Sequence, residues 1–224
     1  MQRGKLYQFE NRQKVEQLES ADVIWEPPAL PILPETLLYF ELSVGQQIVT
    51  LDEMTDVVLR DPGATIQILR AAALEVGFCD DRECRIEDCV AALGVSGCID
   101  ALKDETSVRG GLKPEIRKVW SHAQKIAENC VYLAEEHGIG LPLRDAYLVG
   151  LYHELDTLPS LLGWNAKSAN LSTALLVHAW SLPECVRAFF MEQQGETQWT
   201  PLSELVRLAH VLQAPMEITA SAHM

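Results

Sequence analysis

The stretch IRKVWSHAQKIAENCVYLAEEHGI, residues 116–139, decides the fold class. Ile116, Trp120, Ala123, Ala127, Cys130 and Ala134 recur at steps of three and four, with Val119, Ile126 and Leu133 beside them. That spacing paints one apolar stripe along a helix and leaves Lys118, Lys125 and Glu128 on the outer face. Pro114 can open the helix because its missing N–H would have had no partner there, and His137-Gly138 closes it. A stripe this long must be buried against other apolar elements.

The neighbouring sequence supplies more helices. Leu143 to about Leu155 is apolar almost all round, which predicts a central helix covered on most sides. Upstream, Thr50-Leu51-Asp52-Glu53 is a capping box, and Asp61-Pro62 opens a second helix that stops near Gly77. Two helices are predicted from Arg85 to Leu93 and from about Ser96 to Glu105, separated at Gly94. Downstream, one helix spans about Lys167 to Trp180. Another opens on a capping box at Ser181-Leu182-Pro183-Glu184, and a last runs from Thr200-Pro201 to about Gln213. Alternation of period two is nearly absent. The expectation is an all-α bundle of about 9–11 helices.

The 224 residues carry 48% hydrophobic and 22% charged side chains, enough to bury a sizeable core. A net charge of −14 repels phosphate backbones and anionic lipid, so no direct nucleic-acid or membrane binding is expected. The polar opening MQRGKLYQFENRQKVEQLES lacks the apolar core of a signal peptide, and no apolar run approaches a membrane span. The expectation is a cytoplasmic chain with reduced thiols.

The order of motifs resembles the HDOD family. LPILPETLLYFEL (30–42), RDPGATIQILRAA (60–72) and IEDCVAALGVSGCIDAL (86–102) are similar to the opening of such domains. Residues 116–139 resemble the helix that bears the family's first histidine. DAYLVGLYHELDTLPSLLGW (145–164) stands where HD-type phosphohydrolases carry His-Asp followed by Ile-Gly-Lys, and WSLPECVRAFF (180–190) matches a Trp-Gly-Leu-Pro step. The resemblance implies an HD-domain-like bundle in two packed subdomains. Residues 29–109 would form the first and 112–213 the second, with a hinge at Gly110-Gly111, a polar arm over 1–28 and a tail over 214–224.

The resemblance also implies a site. HD hydrolases hold one or two divalent metals with a histidine, a His-Asp pair and a later aspartate, so that the metal polarises a phosphoryl oxygen and activates water. Here His122 matches the first histidine and His153 the second; Glu154 replaces the paired aspartate and Thr157 the lysine. His210 falls at the later aspartate, while Gln193-Gln194 and the neighbourhood of Ala169 fall where relatives carry further histidines. The set His122, His153, Glu154 and His210 therefore reads as a degenerate metal site with no catalytic residue. No cofactor is expected; weak divalent-metal binding by His122, His153 and Glu154 is the residual capacity. A carboxylate on an apolar helix is costly unless paired, so Glu154 is expected to hydrogen-bond His122 or His153. His137 and His178 read as surface or helix-end residues.

Cys79, Cys84, Cys89 and Cys98 cluster in sequence, but their spacing is wider than zinc sites use, and small core residues are the default reading. Asp80, Asp81, Glu83, Glu87 and Asp88 form an acidic run that reads as a solvated face or as a surface for a basic partner. The functional expectation is a non-catalytic bacterial signal-transduction output domain that binds signalling proteins in trans, with a nucleotide ligand and a homodimer both open. The alternatives are a residual metal-dependent phosphohydrolase acting on nucleotides or phosphodiesters, and a thiol-based sensor.

Overall fold

The computed structural model describes residues 30–44, 49–76, 85–103, 113–163, 173–193 and 201–213, and every regular element among them is helical. The N-terminal arm, the hinge at Gly110-Gly111, Cys79, Cys84, Asp80, Asp81, Glu83, Ala169, Gln194 and the tail lie outside those residues.

The chain enters through Leu30–Leu33 into α1 (Pro34–Ser43). Helix α2 (Leu51–Leu59) starts on the expected capping box: Thr50 Oγ1 accepts from the Glu53 N–H at 3.2 Å, and Glu53 Oε2 accepts from the Thr50 N–H at 3.0 Å. Helix α3 (Pro62–Val76) is capped by Asp61, whose Oδ1 accepts from Gly63 N at 3.0 Å and Ala64 N at 3.2 Å. The other oxygen of Asp61 takes the Leu33 N–H at 2.6 Å, so one buried carboxylate binds the entry segment to the start of α3. Gly63 makes this approach possible, since a Cβ there would lie 2.2 Å from the Pro31 carbonyl oxygen. Helix α4 (Ile86–Leu102) carries a kink where Gly94 has φ 62, which is the break expected between two helices.

Helix α5 (Pro114–Glu136) is the amphipathic helix quoted above. It ends in a Schellman motif: Gly138 has φ 57, its N–H reaches Glu135 O, and the Ile139 N–H reaches Ala134 O. Helix α6 (Leu143–Tyr152) packs along α5 more extensively than any other pair does. Their backbones meet at Gly150, where a Cβ would stand 2.6 Å from Ala127 Cα. A short 3-10 turn (Leu155–Thr157) leads to α7 (Leu158–Leu161), and α8 (Thr173–Ala179), α9 (Glu184–Gln193) and α10 (Pro201–Gln213) follow.

Helix α4 ends at Leu102, short of the expected Glu105, and two other boundaries differ from expectation. Helix α6 stops at Tyr152 rather than near Leu155. The Gly150 carbonyl accepts from the His153 ring at 2.7 Å, and beyond Glu154 the backbone winds as a 3-10 turn. Ser181 is not the N-cap of α9. It closes α8 instead, in a second Schellman motif with φ 53, where Ser181 N reaches His178 O and Leu182 N reaches Val177 O. The backbone is already committed to that turn, so α9 begins later, at Glu184.

The two halves of the chain share one apolar core, from Leu30 and Phe40 through Ile126 and Tyr152 to Trp180 and Leu205. Polar contacts lock them together. Tyr152 donates to Pro62 O at 3.0 Å, Tyr147 to Leu59 O at 3.1 Å, and Gln124 to Arg60 O. Helix α10 packs on α5, where Asn129 donates to Ala209 O at 3.2 Å. These contacts hold α5, the end of α6 and α10 in fixed relation, and the candidate residues lie on those three segments.

Candidate functional site

His122 comes from α5, His153 from the residue that caps α6, Glu154 from the one after it, and His210 from α10. The structure brings all four together. The ring centroids of His122 and His153 are 5.2 Å apart, those of His122 and His210 5.3 Å, and those of His153 and His210 4.8 Å. One ring nitrogen from each histidine lies within 4.8 Å of the other two.

Glu154 stands at the side of this triangle. Its Oε1 is 3.8 Å from His122 Nε2 and 3.9 Å from His153 Nε2. Those distances are too long for the hydrogen bond expected from the sequence. The reason is local: Glu154 lies beyond the end of α6 at φ −107, ψ 22, which swings its side chain toward solvent, where it is 38% exposed.

His153 is the most constrained member. Its side chain is 3% exposed, and Nδ1 lies 2.7 Å from the carbonyl oxygen of Gly150. Gly150 is in the last turn of α6, so its carbonyl lacks an ordinary helical partner. A carbonyl only accepts, so Nδ1 carries the hydrogen and Nε2 is left with its lone pair. That nitrogen is buried with no hydrogen-bond partner. Burial, opposed by the Gly150 bond and Glu154, pushes the His153 pKa down to about 4, so the ring is neutral at neutral pH. His210 is also held below the ordinary imidazole range, first by burial and then by His122.

A neutral imidazole fixed by one nitrogen and presenting the other is the arrangement that metal-ligating histidines use. The hydrolase set does not fit equally well. Among the described residues, Glu154 is the carboxylate that lies within 4 Å of the ring nitrogens. Thr157 is exposed and spends its hydroxyl on the Glu154 carbonyl at 2.8 Å. The residues therefore suit one ion held mainly by nitrogen better than a carboxylate-bridged pair.

The remaining candidates lie apart. His137 is exposed at the end of α5 and His178 is exposed in α8. Cys89 and Cys98 are buried, and burial raises the Cys98 thiol to about 12, which keeps it protonated. What sequence reasoning missed is the role of Gly150. A glycine inside an apolar helix signals a close backbone approach, but nothing in the sequence shows that its carbonyl orients His153.

The fold and this placement of histidines define the class. The chain belongs to the HDOD-domain family, whose model matches residues 30–162, so it is an HD-related helical domain. His210 lies beyond the matched span. The chain is also similar to the crystal structure of a virulence factor from Campylobacter jejuni subsp. jejuni, at 16% identity and a TM-score of 0.49 over 87% of this chain and 78% of that one. No curated protein matches. Among the described residues, no helix is long and apolar enough to cross a membrane.

Proposed function

We propose that this chain is a signal-transduction output domain of a bacterial cytoplasm that acts by binding proteins in trans and not by hydrolysing phosphate esters. The observation that carries this reading is the composition of the pocket. Three imidazoles share one carboxylate, with a threonine where the resemblance calls for the phosphate-neutralising lysine. Phosphoryl transfer needs positive charge against the equatorial oxygens and a held nucleophile. Glu154 and Thr157 supply neither a lysine's charge nor a second bridging carboxylate.

The test pairs two assays on the same preparation. A generic phosphodiester is offered with magnesium, manganese, iron(II) or zinc, and cross-linking in cells identifies partners whose purified forms are then titrated. Saturable binding of a purified signalling protein with no turnover supports the proposal. Metal-dependent turnover that disappears in His122→Ala overturns it in favour of a residual phosphohydrolase.

A further inference from the structure

We propose that His122, His153, His210 and Glu154 form a binding site for one divalent ion of the zinc class, held by three nitrogens and one carboxylate oxygen. The inference does not depend on the regulatory reading.

The first observation is the orphaned nitrogen of His153. Leaving a buried polar atom without a partner costs roughly 1–3 kcal/mol, and the native fold retains this one at His153 Nε2. The Gly150 carbonyl prevents relief by the other tautomer, because reversing the ring's hydrogen would break the 2.7 Å bond. His122 and His210 approach from different helices, and neither satisfies this atom. A metal ion would, since it accepts the lone pair that the tautomer leaves.

The geometry matches one small ion. Zinc–nitrogen bonds of about 2.0–2.1 Å in a tetrahedron place ligand atoms roughly 3.3–3.4 Å apart. One nitrogen of each ring lies within 4.8 Å of the other two, so binding requires the ligand atoms to close by up to roughly 1.4 Å to reach that spacing. Glu154 Oε1, 3.8 Å from His122 Nε2 and 3.9 Å from His153 Nε2, is placed to close the fourth position. Imidazole-rich sets favour zinc and its transition-metal neighbours, whereas magnesium asks for six oxygens and keeps much of its water. Histidine at 210, where the resemblance expects aspartate, moves the site from the second class of ion to the first.

The experiment uses the full chain, free of any affinity tag and stripped with a chelator, titrated with Zn²⁺ alone by calorimetry. The expected result is one ion per chain with a dissociation constant below about 1 µM. His122→Ala and His210→Ala should each weaken binding at least about 30-fold, Glu154→Gln about 3- to 10-fold, and His178→Ala not at all. His122→Gln and His210→Gln replace either alanine variant that fails to fold. Co²⁺ should give a four-coordinate visible spectrum without thiolate charge transfer, and millimolar Mg²⁺ should not compete. Lack of binding, binding indifferent to His122 and His210, a thiolate band from the cysteines, or displacement by Mg²⁺ would each overturn the proposal.

Discussion

His153 donates from Nδ1 to the carbonyl oxygen of Gly150 at 2.7 Å, so one bond both caps the end of helix α6 and leaves a buried lone pair on Nε2, 3.9 Å from Glu154 Oε1, in the ring cluster that His153 forms with His122 and His210. Helix termination and site construction are the same event here. The energetics of the ring therefore report on the fold as well as on the pocket.

The metal-free protein should lose stability in mild acid. The folded-state pKa of His153, about 4, lies below the ordinary 6.5, so between those values the unfolded chain binds the proton more tightly. The contribution is complete above about pH 6.5 and disappears as pH falls toward 4; the full difference is on the order of 3 kcal/mol. His210, lowered in the same direction, adds with the same sign. Urea unfolding in chelator between pH 7.5 and 4.5 should show this slope, and His153→Asn should reduce it.

Gly150→Ala should be costly. The new methyl would sit 2.6 Å from Ala127 Cα and 2.9 Å from Ala127 N, both backbone atoms that no side-chain rotation can clear. Helices α5 and α6 would have to separate, at about 1–3 kcal/mol, and His122 would move away from His153. A lowered denaturation midpoint together with weaker Zn²⁺ binding is the expected pair of results.

Asp61→Ala should destabilise by about 2–4 kcal/mol, because Gly63 N, Ala64 N and Leu33 N all lose their acceptor in a buried setting. Asp61→Asn should fall between the two, since one oxygen remains while an amide N–H₂ would face a donor. Chemical denaturation of the three proteins checks the order.

Ser181→Gly should stabilise, by about 0.5–1 kcal/mol. Serine holds φ 53 at the C′ position of a Schellman motif, a conformation in which glycine carries no Cβ penalty. The gain is what remains after glycine's greater freedom in the unfolded chain is subtracted. A rise in melting temperature without change at the histidine cluster is expected.

Much of the fold was legible because its start and stop signals are local chemistry. Thr50 with Glu53, Asp61 before Pro62, and His137-Gly138 each satisfy backbone groups within a few residues of themselves, so the sequence displays them directly. Ser181 misled because its two roles compete: Ser-x-x-Glu is a sound capping box, yet the preceding helix claims Ser181 first. The extent of α6 was overestimated because apolar periodicity runs on through Leu155 and Leu158, both buried, while the backbone has already changed its winding.

The site was legible as four positions through the resemblance and opaque in its chemistry. Which nitrogen of His153 is free depends on Gly150 standing three residues back at a helix end, which no residue type announces. The residual metal-ligand set expected from the sequence, His122, His153 and Glu154, omits His210, which only a single matched position marks. Its place beside His153 depends on α10 packing on α5, with Asn129 fastened to Ala209. The sequence places Glu154 on a helix and in a hydrogen bond; it lies past the helix, 3.9 Å from His153 Nε2.

The tautomer of His153 tests the account most directly. Long-range ¹H–¹⁵N correlation spectra of the imidazoles, recorded near pH 7 in chelator and again with one equivalent of Zn²⁺, read both nitrogens of each ring. The expected result is a neutral His153 protonated at Nδ1 with a bare Nε2, and one nitrogen each of His122, His153 and His210 shifting together when the metal is added. A His153 that is charged or protonated at Nε2, or rings that ignore zinc, would contradict it.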